Sequence, residues 1–355
     1  MRQSTLPTEV QALTAGWFSH VLGREVTEAT VLDTSSGTTG RARVALRSES
    51  DLPATVFVKL PPFDAQQRTL VEKTGTGVSE ARFYRDLAGE VPVRVPRVWF
   101  ADTADNAYVM VLEDLAASGC RFPTAEDADI ATRAHDIVEQ LAALHGSYWE
   151  SDRFAPGADL EWLDTRGAVG GAGGGGGVRA FIRQAVDALG DQMDPSFHRI
   201  ADIFLARTKD IAQLWTSGPG TLVHGDPHIG NLFVDVEGGN RTGFLDWAVV
   251  CRAHGMRDVA YVLSNSVPPD VREANERDLI ERYCELLTGT GVDLDPTEAW
   301  DQYRLFAVYS WVSATSTAGM GSKWQPFDVA VSATRRTTAA CAHLDCVGLL
   351  ESLLG

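Results

Sequence analysis

Residues 222–247 read LVHGDPHIGNLFVDVEGGNRTGFLDW, and this stretch decides the architecture. A short apolar run, Leu222-Val223, feeds a tight glycine-bearing loop, His224-Gly225-Asp226, and Asn231 opens a second apolar run, NLFVD. Gly238, Gly239 and Asn240 mark a turn; the chain then returns as GFLD and ends on Asp246, fifteen residues beyond Asn231. A hairpin of this length is expected to bring Asp246 to the same end as Asp226 and Asn231. One carboxylate and the amide oxygen suit Mg2+, a hard cation that takes oxygen ligands and keeps several waters. The other carboxylate is then free to accept or orient a hydroxyl proton.

Phosphoryl transfer asks for this set plus a cation on the nucleotide phosphates. Upstream, TVFVKL (55–60) is an apolar strand with one charge inside it, Lys59. A lysine there is costly unless paired, and Glu80, on a helix predicted over 78–88, is the natural partner. Residues 27–34 and 41–48 read as strands about the turn SSGTTG, where Ser36, Gly37, Thr38 and Thr39 offer N–H groups and hydroxyls to phosphate oxygens. RVPRVWFAD and NAYVMVLEDL form a further strand pair. The first 115 residues thus hold about five strands and one helix, after a short N-terminal helix. Beyond them, 125–150, 178–190, 194–216, 270–288, 296–318 and 327–352 read as helices. Gly167–Gly177 has eight glycines in eleven positions and is expected to be a flexible tether.

HGDxxxxN, a D-W pair after a hairpin, a third-strand lysine and the glutamate of SEARFYRDL occur in that order. Together they resemble the aminoglycoside phosphotransferase and choline kinase family of the protein-kinase-like fold, and VLEDL is similar to the hinge of its ecdysteroid-kinase-like relatives. The resemblance covers about residues 30–320. It implies an α+β, two-lobe fold: an antiparallel sheet lobe with one helix over 1–115, ending in a hinge at 111–115, and a larger, mainly helical lobe over 116–355. It also implies that loop 224–231 is catalytic, with Asp226 the base, while Asn231 and Asp246 hold Mg2+. Lys59 would hold the α- and β-phosphates of ATP, with GTP an open alternative, and Glu80 would fix it. Ser36, Gly37, Thr38 and Thr39 would cover the phosphates. Met110 would line the base pocket, and backbone groups from Val111 through Glu113 to Leu115 would meet the adenine. No activation-loop signature follows Asp246, which points to a small-molecule alcohol rather than a protein as acceptor.

Composition narrows the field further. The 355 residues carry 31 basic and 48 acidic side chains, a net charge of −17, which argues against nucleic acid and anionic lipid as partners. Residues 1–115 hold 12 basic and 15 acidic groups; the rest holds 19 and 33. A negative field attracts cations, so an aminoglycoside-like antibiotic or an amino alcohol is favoured as acceptor. A macrolide, nucleoside antibiotic, sugar or sterol-like alcohol stays open, as does a silent kinase-like binding protein. Asp270, Glu273, Glu276, Asp278, Glu281 and Glu285 fall on one predicted helix, either lining the acceptor cleft or forming a solvated face. His224 is read as structural, Asp258 as a tie for the catalytic loop, His145 as a helix-end residue, and Trp247, Trp311 and Trp324 as core. Five cysteines without zinc-site spacing read as free thiols, and no signal-peptide core is evident, so a cytoplasmic protein is expected.

Overall fold

The structure, a computed structural model, describes residues 6–163, 176–321 and 326–355. The glycine-rich stretch 167–175 and Trp324 therefore lie outside the described residues. The chain packs into two units, one of Met1–Phe122 with Phe233–Val249, the other of Pro123–Leu232 with Val250–Gly355. The boundary expected from sequence was 115/116, with the hairpin counted in the C-terminal lobe.

The first unit opens with α1 (Ala15–Leu22), capped by Thr14, whose hydroxyl accepts from the Trp17 N–H. Then come β1 (Glu28–Ser36), β2 (Gly40–Arg47), β3 (Thr55–Leu60), α2 (Ala65–Thr74), α3 (Thr76–Asp86), β4 (Val98–Ala104) and β5 (Ala107–Glu113). The strands form one antiparallel sheet in the order β1-β2-β3-β5-β4. Period-two alternation sends Ala42, Val44, Leu46, Val56, Val58, Leu60, Val109 and Val111 to one face, where they pack with Phe18. Each such aliphatic side chain contributes roughly 1.5–3 kcal/mol on full burial. The alternate positions Arg41, Lys59 and Met110 are consecutive cross-strand neighbours on the opposite face.

Helix α2 was not anticipated. Its sequence, AQQRTLVEKT, is mostly polar and shows no apolar period; the helix is instead started by Asp64, whose carboxylate accepts from the Gln66 and Gln67 N–H groups at 2.9 Å. Gly75, at φ 67°, takes the left-handed turn that separates α2 from α3. Helix α3 then packs tightly on β5: a Cβ at Gly77 would come within 2.1 Å of the Tyr108 ring.

The rest of the chain runs α4 (Ile130–Tyr148), α5 (Gly176–Leu189), α6 (Pro195–Trp215), β6 (Thr221–Val223), β7 (Leu232–Asp235), β8 (Arg241–Phe244), β9 (Cys251–Ala253), α7 (Met256–Ser266), α8 (Pro269–Thr288), α9 (Pro296–Met320), α10 (Phe327–His343) and α11 (Cys346–Leu354). β7 pairs with β8 as expected, whereas β6 pairs with β9, Val223 opposite Cys251. Every residue of α7 is buried, including the polar stripe of Arg257, Asp258, Ser264 and Asn265 that recurs at helical spacing. The single helix expected over 327–352 is two, separated where Asp345 adopts φ 47° and caps α11 through the Gly348 N–H. No described helix is long and apolar enough to cross a membrane. All five cysteines are free thiols, four of them buried.

Just after β9, His254 is 2% exposed, and its Nδ1 accepts from the Met256 N–H at 3.1 Å, which requires a neutral ring. Burial, reinforced by His145, pushes its pKa down to about 4. The unfolded chain therefore takes up this proton between about pH 6.5 and 4 while the native state does not, and stability falls as the pH drops through that window. The loss should reach a few kcal/mol, at ~1.4 kcal/mol per pH unit. Urea titrations from pH 7 to 4 should show it, and a His254→Gln variant should flatten the slope.

Candidate active site

In the first unit, Lys59 is 4% exposed, and its Nζ lies 2.5 Å from Glu80 Oε1 and 3.2 Å from Asp246 Oδ1. Strand β3 aims the lysine away from the aliphatic core, and the α3 turn presents Glu80, fully buried, beneath it. Burial works against the ammonium, but the carboxylates of Asp246 and Glu80 outweigh it and hold its pKa above the ordinary lysine value. Burial, only partly offset by Lys59, pushes the Glu80 carboxyl up to about 7. The structure thus brings together Lys59, Glu80 and Asp246, which stand 187 residues apart at the extremes.

Asp246 sits at φ 65°, in the left-handed region that few non-glycine residues adopt. Its neighbour fixes it there. The fully buried Trp247 ring stacks on Phe83 of α3 with centroids 3.9 Å apart and 9° between planes, and its Nε1–H donates to the Phe244 carbonyl. The D-W pair is therefore an anchor and the group it anchors. The hairpin is sewn in from both sides: Phe244 N–H donates to Arg94 O, and Val234 bridges to Arg121.

The remaining expected residues of this unit are placed as follows. Ser36 is exposed and its hydroxyl accepts from the Phe63 N–H; Gly37 N–H donates to Thr39 O, Thr38 is exposed and Thr39 is buried. Met110 and Val111 are fully buried, Met110 directly across from Lys59. The Glu113 carboxylate is turned to Arg94, at 2.8 Å, and to the Arg97 N–H, while its own N–H donates to Arg97 O. Leu115 is buried and its carbonyl accepts from the Cys120 N–H.

In the second unit, the loop after β6 carries Asp226 on its surface, with Asn231 Nδ2 donating to Asp226 O at 2.9 Å and to Asp226 Oδ2 at 3.3 Å. That leaves Asn231 Oδ1 as the atom to offer a hard cation. The buried Asp258 accepts from the His224 N–H at 2.6 Å and the Gly225 N–H at 2.9 Å, so it pins the loop by its backbone. Burial pushes the Asp258 carboxyl up, but His145, His224 and the Gly225 N–H together outweigh it and hold it below its ordinary value. Gly225 needs its φ of 88° for this turn. His224 Nδ1 accepts from the Asp226 N–H, and Ser266 Oγ accepts from the Ile229 N–H.

Three neighbours were missed by sequence reasoning. His145 sits in the last turn of α4, as expected, but its contacts were not foreseen: it is fully buried, with Nδ1 2.8 Å from Tyr283 Oη and Nε2 3.4 Å from Asp258. Tyr261, whose hydroxyl meets Ser313, lies close enough to Asp226 that burial first and that carboxylate next raise its pKa far above the usual phenol. Arg41 stands 3.7 Å from Asp246 Oδ2. The acidic helix also reads differently. Glu276 is 1% exposed and held by Arg272, Tyr303 and His343, Glu273 pairs with Arg272, and Glu285 pairs with Arg282. These three are ion-pair members rather than a free acidic face.

The profile of the phosphotransferase enzyme family matches residues 35–306, about three quarters of the chain. The chain belongs to that family and is a small-molecule kinase. A search of curated proteins finds no significant match. Among solved structures, a choline kinase from Cryptosporidium parvum aligns at 12% identity over 92% of this chain and 91% of that one, with a TM-score of 0.55. The choline kinase LicA from Streptococcus pneumoniae, in complex with AMP, aligns at 15% identity over 93% and 97%, TM-score 0.53. A Plasmodium vivax ethanolamine kinase aligns at 14% over 88% and 81%, TM-score 0.51. The protein-kinase-like two-lobe fold expected from the motifs is the observed one.

Proposed function

We propose that this kinase transfers the γ-phosphate of Mg-ATP to a hydroxyl of a small molecule. The observation that carries the reading is the buried, charged Lys59 held between two carboxylates, a costly arrangement that a nucleotide-binding role explains. The AMP complex of LicA supports nucleotide binding by this fold. Asp226 orients the acceptor hydroxyl and takes its proton as the acceptor oxygen bonds to the γ-phosphorus; the bond from that phosphorus to the β,γ-bridging oxygen breaks, and ADP leaves. Asn231 steadies Asp226 through the contacts above. Each proposed donor suits Mg2+ by its own chemistry: Asp246 offers a carboxylate with a side chain 21% exposed, and Asn231 offers an amide oxygen. Bound there, Mg2+ would neutralise phosphate charge. Ser36, Gly37, Thr38 and Thr39 cover the phosphates, and the strand from Met110 and Val111 to Glu113 and Leu115 receives the base.

For the acceptor we infer a cationic alcohol, supported by the acidic excess of residues 116–355. Coupled ADP release with Mg-ATP, run across aminoglycosides, amino alcohols, macrolides, nucleosides and hydroxylated lipids, tests the reaction, with mass spectrometry confirming one added phosphate. ADP release with a cationic acceptor whose affinity falls steeply with salt is the expected result. A neutral acceptor without salt dependence overturns the cationic reading alone. Mg-dependent stabilisation by ATP without ADP release for any acceptor overturns the transfer.

A further inference from the structure

Strand β2 carries three arginines, Arg41, Arg43 and Arg47, on the face away from the aliphatic core. Arg43 and Arg47 each have an acid across the β1 pairing, Asp33 at 2.6 Å and Glu28 at 3.6 Å. Arg41 does not: Ser35 lies across from it on β1, and on β3 its neighbour is Lys59. Two cations side by side on a sheet repel unless they share an anion. The shared anion is Asp246, with Lys59 Nζ 3.2 Å from Oδ1 and Arg41 Nη2 3.7 Å from Oδ2. The arginine contact is an ion pair beyond hydrogen-bond length. Arg41 Nε also reaches Thr39 Oγ1, at 3.3 Å, in the turn that would cover the phosphates. Its side chain is 38% exposed, against 5% for Lys59, so the guanidinium keeps N–H groups open to solvent.

Charge accounting then points to a ligand. Lys59 and Arg41 balance Glu80 and Asp246. Asp246 would hold a divalent cation, whose charge would tip the set positive and leave Arg41 without its anion. A guanidinium so released, beside a lysine and a hydroxyl-bearing turn, matches the fork geometry of phosphate oxygens, which arginine binds bidentately. We propose that Arg41 is a phosphate-binding residue that exchanges Asp246 for the polyphosphate of a nucleoside di- or triphosphate when the metal-nucleotide binds. This rests on the Mg-nucleotide reading above.

Calorimetric titration of the full chain with Mg-ATP, Mg-ADP and adenosine separates the outcomes. Arg41→Ala should weaken Mg-ATP and Mg-ADP by about tenfold to a hundredfold, the range of a charge-assisted hydrogen bond. It should leave adenosine, which has no phosphate, unchanged, and Arg41→Lys should recover part of the loss. If wild type binds Mg-ATP and Arg41→Ala binds it equally well, the assignment of Arg41 fails and the nucleotide reading stands. Equal weakening of adenosine and nucleotides also overturns the assignment, because it marks a structural defect. If wild type binds no nucleotide, the reading beneath falls, and this one with it.

Discussion

Asp226→Asn should lower kcat by about 10²–10⁴-fold while leaving Mg-ATP binding near that of wild type. The substitution keeps the size and shape of the side chain, and its amide oxygen can still accept from Asn231 Nδ2. Asp258 fixes the loop through the backbone of His224 and Gly225, not through the Asp226 side chain, so the loop should keep its course. On the proposed mechanism, what is lost is the negative oxygen that orients the acceptor hydroxyl and receives its proton. Single-turnover rates with a proven acceptor, measured alongside ATP titration, make the check. A loss expressed in ATP affinity alone would remove Asp226 from the proton step.

Asp246→Asn should be at least as damaging, on the order of 10³-fold or more in turnover, because a metal that neutralises phosphate charge contributes several kcal/mol to the transition state. The wild-type carboxylate serves two cations of the protein, Lys59 and Arg41. Its amide replacement leaves both facing Glu80 alone, so the site turns positive without metal and loses its anionic metal ligand. Nucleotide free of Mg2+ should then bind about as well as Mg-nucleotide, and added Mg2+ should not restore the rate. Activity and binding measured as functions of Mg2+ concentration decide it; an unchanged Mg2+ activation curve would contradict the metal role.

The loop 224–231 and the hairpin after it were legible as structure because each rests on local chemistry: apolar runs, a glycine that needs positive φ, and aspartates at their ends. Lys59 stood out as one charge in an apolar strand, and its partner Glu80 followed from the cost of burying that charge. Other features depended on pairing that no local pattern carries. Arg41 looks like any polar residue of an alternating strand until the register sets Ser35 on one side of it and Lys59 on the other. Helix α7 was legible in its helical spacing, with Arg257, Asp258, Ser264 and Asn265 on one side, and was passed over, whereas α2 escaped because its polar sequence leaves only the Asp64 cap to announce it. The acids of α8 suggested an open anionic face, but Arg272 and Arg282, on the same helix, already engage several of them.

The grouping of Phe233–Val249 with the first 122 residues bears on how the protein is made. Lys59 and Glu80 leave the ribosome long before Asp246 and Trp247. Until residue 247 has been synthesised, Phe83 lacks its stacking partner, and until residue 246 the lysine lacks one of its two carboxylates. The N-terminal unit is therefore not an autonomous translation product. More than a hundred residues of the other unit must be made before its last strands arrive, and a gene cut at residue 122 would encode an unfinished unit.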